Sequence, residues 1–316
     1  MQVFITGATG ALGQPVVRSL VGAGHRVRAL SRSARNHVVL RGLGAEPVGA
    51  DLFDPASLRA GMRGNDAVLH LATRIPNVDR IGRRAAWRET DRLRREGTRI
   101  LVDAALEHGA GVFVYPSIVF LYPDGGARWL EAEATEPAPA EYLATTLDAE
   151  AEVARFAARG GRGVSLRLGG FYDATSPQSR AMARAARLGV SPILGRDDAY
   201  GPLIWVDDAA TAVVAALAAP SGVYDVVDDE PMTRGELRRV VARAVGRPRL
   251  RRLPGFVEAA MLGVTADTLT RSQRVSNARF KAATGWTPDV PSAREGWARI
   301  GAALSVHLSG VAESPR

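Results

Sequence analysis

The chain contains no cysteine and one lysine, Lys281. Without cysteine there is no disulfide, no thiol nucleophile, no iron–sulfur cluster and no cysteine-ligated zinc, and no metal site is expected. Lys281 follows Phe280 rather than a glycine-rich loop, so the phosphate-binding pattern GxxxxGK[ST] is excluded. Any mechanism that needs a lysine uses Lys281 or does without. Long apolar runs are missing as well. The most apolar stretch, Ala209–Ala219, is far short of the ~20 residues of a membrane span, so no membrane partner is expected. The N-terminal MQVFITG reads as a strand and lacks the charged and apolar regions of a signal peptide, which makes a cytoplasmic location the expectation.

What is abundant is arginine. Lysine and arginine together number 41 against 33 acidic residues, giving a net charge of +8, and all but one are arginine. They are dispersed and not interleaved with stacking aromatics, which reads as compositional bias and not as a nucleic-acid face. The helix carrying Arg83, Arg84, Arg88, Arg92, Arg94, Arg95 and Arg99 is interspersed with Glu89, Asp91 and Glu96, and reads as a solvated or subunit-facing surface. At 316 residues, 46% of them hydrophobic, the chain predicts one large α/β domain with a smaller lobe.

Short apolar runs alternate with helical periodicity. Val3–Ile5, Val27–Leu30, Pro47–Val48, Ala67–Leu71, Val112–Tyr115 and Val164–Leu168 read as buried strands, with helices over about 85–108 and 141–159. This implies a doubly wound parallel sheet, a Rossmann fold, with its ligand crevice at the carboxyl ends of the strands. Residues 1–169 are read as the dinucleotide-binding domain, with 204–227 returning to it. Residues 170–203 and 228–316 are read as a smaller, mainly helical substrate lobe, whose tail 313–316 is expected to fray.

The first strand runs straight into Thr6-Gly7-Ala8-Thr9-Gly10-Ala11-Leu12-Gly13 and then a helix. Three glycines at this spacing suit a dinucleotide pyrophosphate. One permits the tight turn, one lets the backbone approach the phosphates, and one lets the helix pack on the strand. The second strand ends Ser31-Arg32-Ser33, with Arg35 close behind and no acid. A carboxylate there would bind the ribose 2′-hydroxyl of NAD, whereas arginine suits the 2′-phosphate, so NADP(H) is favoured over NAD(H). Asp51 either accepts a hydrogen bond from the adenine amino group or caps a helix over Leu52–Leu58.

These residues resemble the short-chain dehydrogenase/reductase superfamily, in its extended or atypical branch of NAD(P)-dependent epimerases and dehydratases. TGATGALG resembles that family's fingerprint, Ala50-Asp51-Leu52 its adenine-contacting motif, and His70-Leu71-Ala72 its fourth-strand motif, with Thr73 beside it. Leu166–Tyr172 and Trp205–Ala210 resemble segments bordering its substrate cleft. The resemblance implies a small-molecule substrate and a homodimer through the helices at 85–108 and 141–159. It gives His70 no chemical role.

The resemblance also implies a catalytic tyrosine with a lysine four residues on, and a serine after the fifth strand. The tyrosine moves the substrate proton, the serine holds the substrate oxygen, and the lysine favours the phenolate and grips the nicotinamide ribose. Here Tyr142 is in place, but the lysine position is Thr146. The serine position, four before Tyr122, is Ile118; Ser117 lies one residue earlier, facing differently, and could still serve if the loop bulges. A cation about 4 Å from a phenol is worth about 4 kcal/mol at an effective dielectric of about 20, roughly a thousandfold in ionisation. Without it, oxidation of an alcohol suffers most, while reduction needs only a proton donor. The expected function is therefore an NADPH-dependent reductase of a carbonyl or conjugated small molecule, with Tyr142 and Ser117 as catalytic candidates. Tyr122 and Tyr172 are expected in the substrate lobe. The alternatives are nucleotide-sugar epimerase or dehydratase chemistry, and a non-catalytic NADP(H)-binding redox sensor.

Overall fold

The computed structural model describes residues 1–77 and 79–312, so the tail 313–316 lies outside the described residues. The chain begins with β1 (Gln2–Thr6), α1 (Gly13–Gly22), β2 (Arg26–Leu30), α2 (Ala34–Gly42), β3 (Glu46–Val48), α3 (Pro55–Met62) and β4 (Ala67–His70). It continues through α4 (Arg88–Arg92), a π-helical turn at Leu93–Gly97, α5 (Thr98–Glu107), β5 (Val112–Ile118), β6 (Trp129–Leu130), α6 (Thr145–Ala158) and β7 (Arg162–Leu168). The remainder is β8 (Gly170–Tyr172), α7 (Pro177–Arg187), β9 (Leu203–Trp205), α8 (Val206–Ala215), β10 (Gly222–Val226), α9 (Arg234–Ala244), α10 (Gly255–Leu262), α11 (Ala266–Thr270), β11 (Arg274–Val275), α12 (Ala278–Thr284) and α13 (Ala293–Ala312).

Seven strands form one parallel sheet in the order β10-β7-β5-β4-β1-β2-β3. This is the doubly wound fold that the strand–helix alternation predicts. Alternating side chains feed two layers. Val3 and Ile5 enter a core with α1 and α8, while Phe4 enters the other with α3, α5 and α6. The direction of winding reverses between β1 and β4, so the crevice opens at their carboxyl ends. Of the segment 204–227, β10 lies on the sheet edge beside β7, but β9 pairs instead with β8 in a separate two-stranded sheet. A third apolar core joins α7, α9 and α13 around Trp205, Leu237 and Trp297. Among the described residues no helix is long and apolar enough to cross a membrane.

Two local expectations change. β5 runs on to Ile118, in unbroken register with β7. Pairing with β4 ends at Val114, so the extension has one free edge, the setting in which Pro116 is tolerated. Asp51 does not cap the following helix. Pro55 sets the first turn of α3, and the Asp54 side chain accepts from the backbone N–H groups of Ala56 and Ser57 at 3.0 and 3.3 Å. Asp54→Ala is therefore expected to destabilise the protein by about 1 kcal/mol. Thermal unfolding should show no comparable helix-capping loss in Asp51→Ala.

Candidate active site

The glycine turn is shaped by backbone contact. Gly7 has φ +73°, and a Cβ there would lie 2.5 Å from the Leu71 carbonyl carbon and 2.6 Å from the Ala72 nitrogen. A Cβ on Gly13 would collide with the Gly7 carbonyl oxygen, and one on Gly10 would come within 3.2 Å of it. The β1–α1 turn and the chain after β4 thus meet at the switch point, bringing Thr9, Gly10, Ala11 and Leu12 to one end of the crevice and Leu71, Ala72 and Thr73 beside Gly7. α1 has no acidic residue in its first turn and no side-chain cap; Gln14 and Val16 donate to the Gly10 and Leu12 carbonyls at 3.2 and 3.1 Å, and Pro15 has no N–H, so the helix dipole and the amide of Gly13 are what its first turn offers an anion. This cradle fits a dinucleotide pyrophosphate.

At the end of β2, Ser31 is buried and its hydroxyl engages Ser33. Arg32 is exposed and donates to Asp51 at 3.3 Å; Arg35 is exposed as well. Asp51 also accepts from the Phe53 amide, and that bond, helped by Arg32, holds its carboxyl below the usual range. The neighbouring Leu52 is buried against the π-helical turn, where a Cβ on Gly97 would sit 3.1 Å from it. His70 is fully enclosed. Its Nδ1 lies 2.7 Å from the Thr6 hydroxyl and its Nε2 lies 3.4 Å from the Leu93 carbonyl of that turn. Both contacts are met when Thr6 donates to Nδ1 and Nε2–H donates to Leu93. Burial pulls the imidazole down to about 4, so it is neutral and structural.

A buried polar row crosses the other half of the sheet. Arg167 donates from Nε and Nη2 to the two Glu150 oxygens at 3.0 and 2.8 Å, and from Nη1 to the Tyr122 hydroxyl at 3.0 Å. Tyr122 donates to Asp225 at 2.8 Å, and Ser117 donates to Glu150 at 2.5 Å. Ser117 is 1% exposed. The bulge that would turn it toward the crevice is absent, because Ser117 pairs with Arg167 and Ile118 with Leu168 in regular register. Ser117 is thereby a neighbour of Glu150 and not of Tyr142. Tyr122 is closed off in the same way. Tyr172 donates to Asp228 at 3.0 Å and meets the Trp205 ring edge-on at 5.4 Å. Neither of these phenols is open to a ligand.

Tyr142 stands apart from this row. It is 4% exposed, its ring 4.6 Å from Trp87, in an apolar cluster with Leu121 and Leu143 against which Ile118 packs. Burial raises its phenol above the ordinary value, partly offset by Thr268, Arg271 and Arg94. It is protonated at neutral pH. Thr146 is fully buried and its hydroxyl has no hydrogen-bond partner among the described residues. Lys281 does not replace the missing lysine; it pairs with Asp229 at 2.8 Å.

The arginine-rich helix is solvated only in part. Arg92, Arg95 and Arg99 are exposed, but Arg94 is 6% exposed and faces the sheet. The stripe Thr90, Arg94, Gly97, Thr98 and Leu101 points inward, and composition alone hid the charged member of it. Glu150 and Arg167 were also missed as a pair. The signal for them was a charge inside the otherwise apolar run Val164–Leu168, which demands a buried partner.

Residues 3–227 match the NAD dependent epimerase/dehydratase family. The chain belongs to that family. A 3-diazoavenalumate denitrifying reductase of Streptomyces sp is 33% identical over 313 residues, spanning 95% of this chain and 100% of the relative. The ceramide reductase of Caulobacter vibrioides is 31% identical, spanning 93% of this chain and 88% of its own. The human epimerase family protein SDR39U1, solved with NADPH, shares the fold at a TM-score of 0.77 and 23% identity, covering 96% of this chain and 99% of its own. Neighbours in fold have been solved with NADPH and with NAD. The protein is an NAD(P)-dependent oxidoreductase with a reductase's relatives.

The buried row gives a pH prediction. Burial lifts Asp225 to about 7 in the folded protein, against about 3.9 in the unfolded chain. A raised folded value contributes stability that is complete below about 4 and lost as pH rises through about 7. Thermal melts should therefore show the difference between parent and Asp225→Asn changing across that window and levelling above it. A difference flat with pH would refute the assignment.

Proposed function

We propose that the protein is an NADPH-dependent reductase that delivers a hydride to a carbonyl or conjugated small molecule, with Tyr142 as proton donor. The carrying observation is the Tyr142 phenol, which is buried beneath Trp87, held protonated, and has Thr146 where the family keeps its lysine. Such a phenol is a serviceable acid and a poor base. This favours reduction over the transient alcohol oxidation of epimerases.

In this reading Gly7, Thr9, Gly10, Ala11, Leu12 and Gly13 hold the pyrophosphate on the α1 N-terminus. Asp51 and Leu52 border the adenine, and Leu71, Ala72 and Thr73 line the opposite wall. Arg32, with Ser31 and Arg35, takes the 2′-phosphate. Its pair with Asp51 is exposed and worth at most about 1 kcal/mol, so Arg32 exchanges it readily for a bidentate phosphate contact. The nicotinamide supplies the hydride when bound. Tyr142 passes its hydroxyl proton to the substrate oxygen, while Trp87 and Leu121 keep water away. Ile118, at the family's serine position, offers no hydroxyl, so substrate orientation falls to Tyr142. The turn between α10 and α11 is tied to the chain after β4 by the Val264 N–H bond to the Gly82 carbonyl at 3.1 Å.

The reading keeps 1–169 with 204–227 as the dinucleotide domain and 170–203 with 228–316 as the substrate lobe. It includes a cytoplasmic homodimer joined through the helices over 85–108 and 141–159, between which the Arg95–Asp148 and Arg155–Asp103 pairs run.

Calorimetric titration is expected to show NADPH binding about tenfold tighter than NADH, a difference of about 1.4 kcal/mol that Arg32→Ala removes. Equal affinities would overturn the NADPH assignment, and absence of binding by either would overturn the dinucleotide site. Tyr142→Phe should lower turnover by about a hundredfold or more while leaving NADPH affinity unchanged. Unimpaired turnover in that variant would remove Tyr142 from the mechanism, and saturable hydride transfer by the parent excludes a purely sensory role.

A further inference from the structure

We propose that α10 and the arginine run before it form a docking surface for an anionic lipid membrane, with the helix lying flat and its apolar face in the headgroup layer. The expectation of no membrane partner rests on the absence of a span and does not extend to a helix lying in the interface plane. The proposal is independent of the hydride chemistry.

The run Arg247-Pro248-Arg249-Leu250-Arg251-Arg252-Leu253-Pro254 leads directly into α10. All four arginines are exposed. Among the described residues only Arg252 of the four meets a carboxylate, Asp197 at 3.7 Å, and Asp197 is shared with Arg238. Exposed arginines elsewhere are balanced, as in the Arg59–Glu107, Arg92–Glu96 and Arg95–Asp148 pairs.

α10 carries one acid, Glu258, and turns it inward, where it accepts from the Gly195 N–H at 2.9 Å. Leu262, one turn on, is buried as well. The outward face is therefore Phe256, Ala259, Ala260 and Met261, without a charge, and exposed Val264 follows it. Leu188 lies beside the arginine run, because Arg251 donates from its backbone to the Gly189 carbonyl at 2.8 Å and Arg247 donates to the Arg187 carbonyl. At 82% and 77%, Leu188 and Phe256 are the most exposed large apolar side chains among the described residues. Single exposed apolar side chains need no explanation, but a group of them bordered by unbalanced charge marks an interaction surface.

This face is fixed outward. Gly195 anchors both parts, its carbonyl accepting from Arg252 at 3.0 Å and its N–H donating to Glu258. Beyond the helix, a Cβ on Gly82 would lie 2.9 Å from the Leu262 carbonyl oxygen, so α10 has no room to roll and bury Phe256. The occupant must offer negative charge and an apolar layer together. An anionic bilayer does so, with phosphates at its surface and acyl chains beneath, and the cytoplasmic leaflet carries such lipids. A second copy docked here across a two-fold axis would set the arginine run against itself.

The test is flotation of the full chain with phosphatidylcholine vesicles, with and without phosphatidylglycerol. The protein is expected to float with the mixed vesicles and to stay behind with phosphatidylcholine alone. Arg249→Glu with Arg251→Glu, and Phe256→Ser with Met261→Ser, should each weaken binding about tenfold or more. Raised salt should remove the arginine contribution. All four positions are exposed, so the melting temperature should stay near the parent's. Phe256→Trp should add fluorescence that brominated lipids quench. Failure to float with mixed vesicles would overturn the proposal, as would binding that survives both double variants. Binding lost with the arginines but kept in the Phe256→Ser, Met261→Ser variant would overturn it in favour of adsorption by charge alone. Self-association abolished by Phe256→Ser, without vesicle binding, would overturn it in favour of a second copy.

Discussion

The bidentate ion pair between Arg167 and Glu150 fixes the half of the molecule where chemistry is expected. It ties β7 to α6 and, through Ser117 and Tyr122, reaches β5 and the edge strand β10. Removing one partner of such a buried pair leaves the other charge desolvated, at a cost of about 3–5 kcal/mol. No comparable penalty attends the exposed pairs on the outer faces of α5 and α6. The row therefore sets how α6 lies on the sheet, and α6 follows directly on the turn that carries Tyr142. It also explains why polar groups offered by the sequence at the crevice are not available there. Ser117 and Tyr122 complete the hydrogen bonding of Arg167 and its neighbours.

The two ends of the crevice are built by different means. The glycine-turn end is backbone against backbone, with Gly7 required because the chain after β4 passes too close for any side chain, and Gly13 because α1 starts against the Gly7 carbonyl and the Ala8 backbone. Its shape is set by the backbone and so survives extensive change of side chains elsewhere. The end at Tyr142 is built from side chains instead, with Trp87, Leu121 and Leu143 around the phenol and Ile118 packed against them.

This difference decided what could be read in advance. The parallel sheet was legible because each strand and helix announces itself within about ten residues, and the glycine turn because its constraint is local. Ser117 was harder. Family spacing put a serine near the right place, but only the regular register of β5 with β7 decides which face it takes. Asp51 and Asp54 lie three residues apart, and the placement of Pro55 settles which one caps α3. The partner of Arg167 is distant in sequence and follows from the fold, as do the inward aim of Arg94 and the cover that α11 provides for Tyr142. A run of arginines looks like a solvated face until the helix is placed on its sheet.

The direction of the chemistry follows from desolvation. A tyrosine stacked at 4.6 Å on Trp87 and enclosed by apolar neighbours holds its proton more tightly than one in water. Oxidising an alcohol requires that proton to be gone before the hydride leaves, so burial works against it from the start. Reduction requires the proton to be present and to leave late, when negative charge has built up on the substrate oxygen. A buried phenol is thus present as the neutral acid throughout the neutral range, which is the protonation state that reduction needs and oxidation does not.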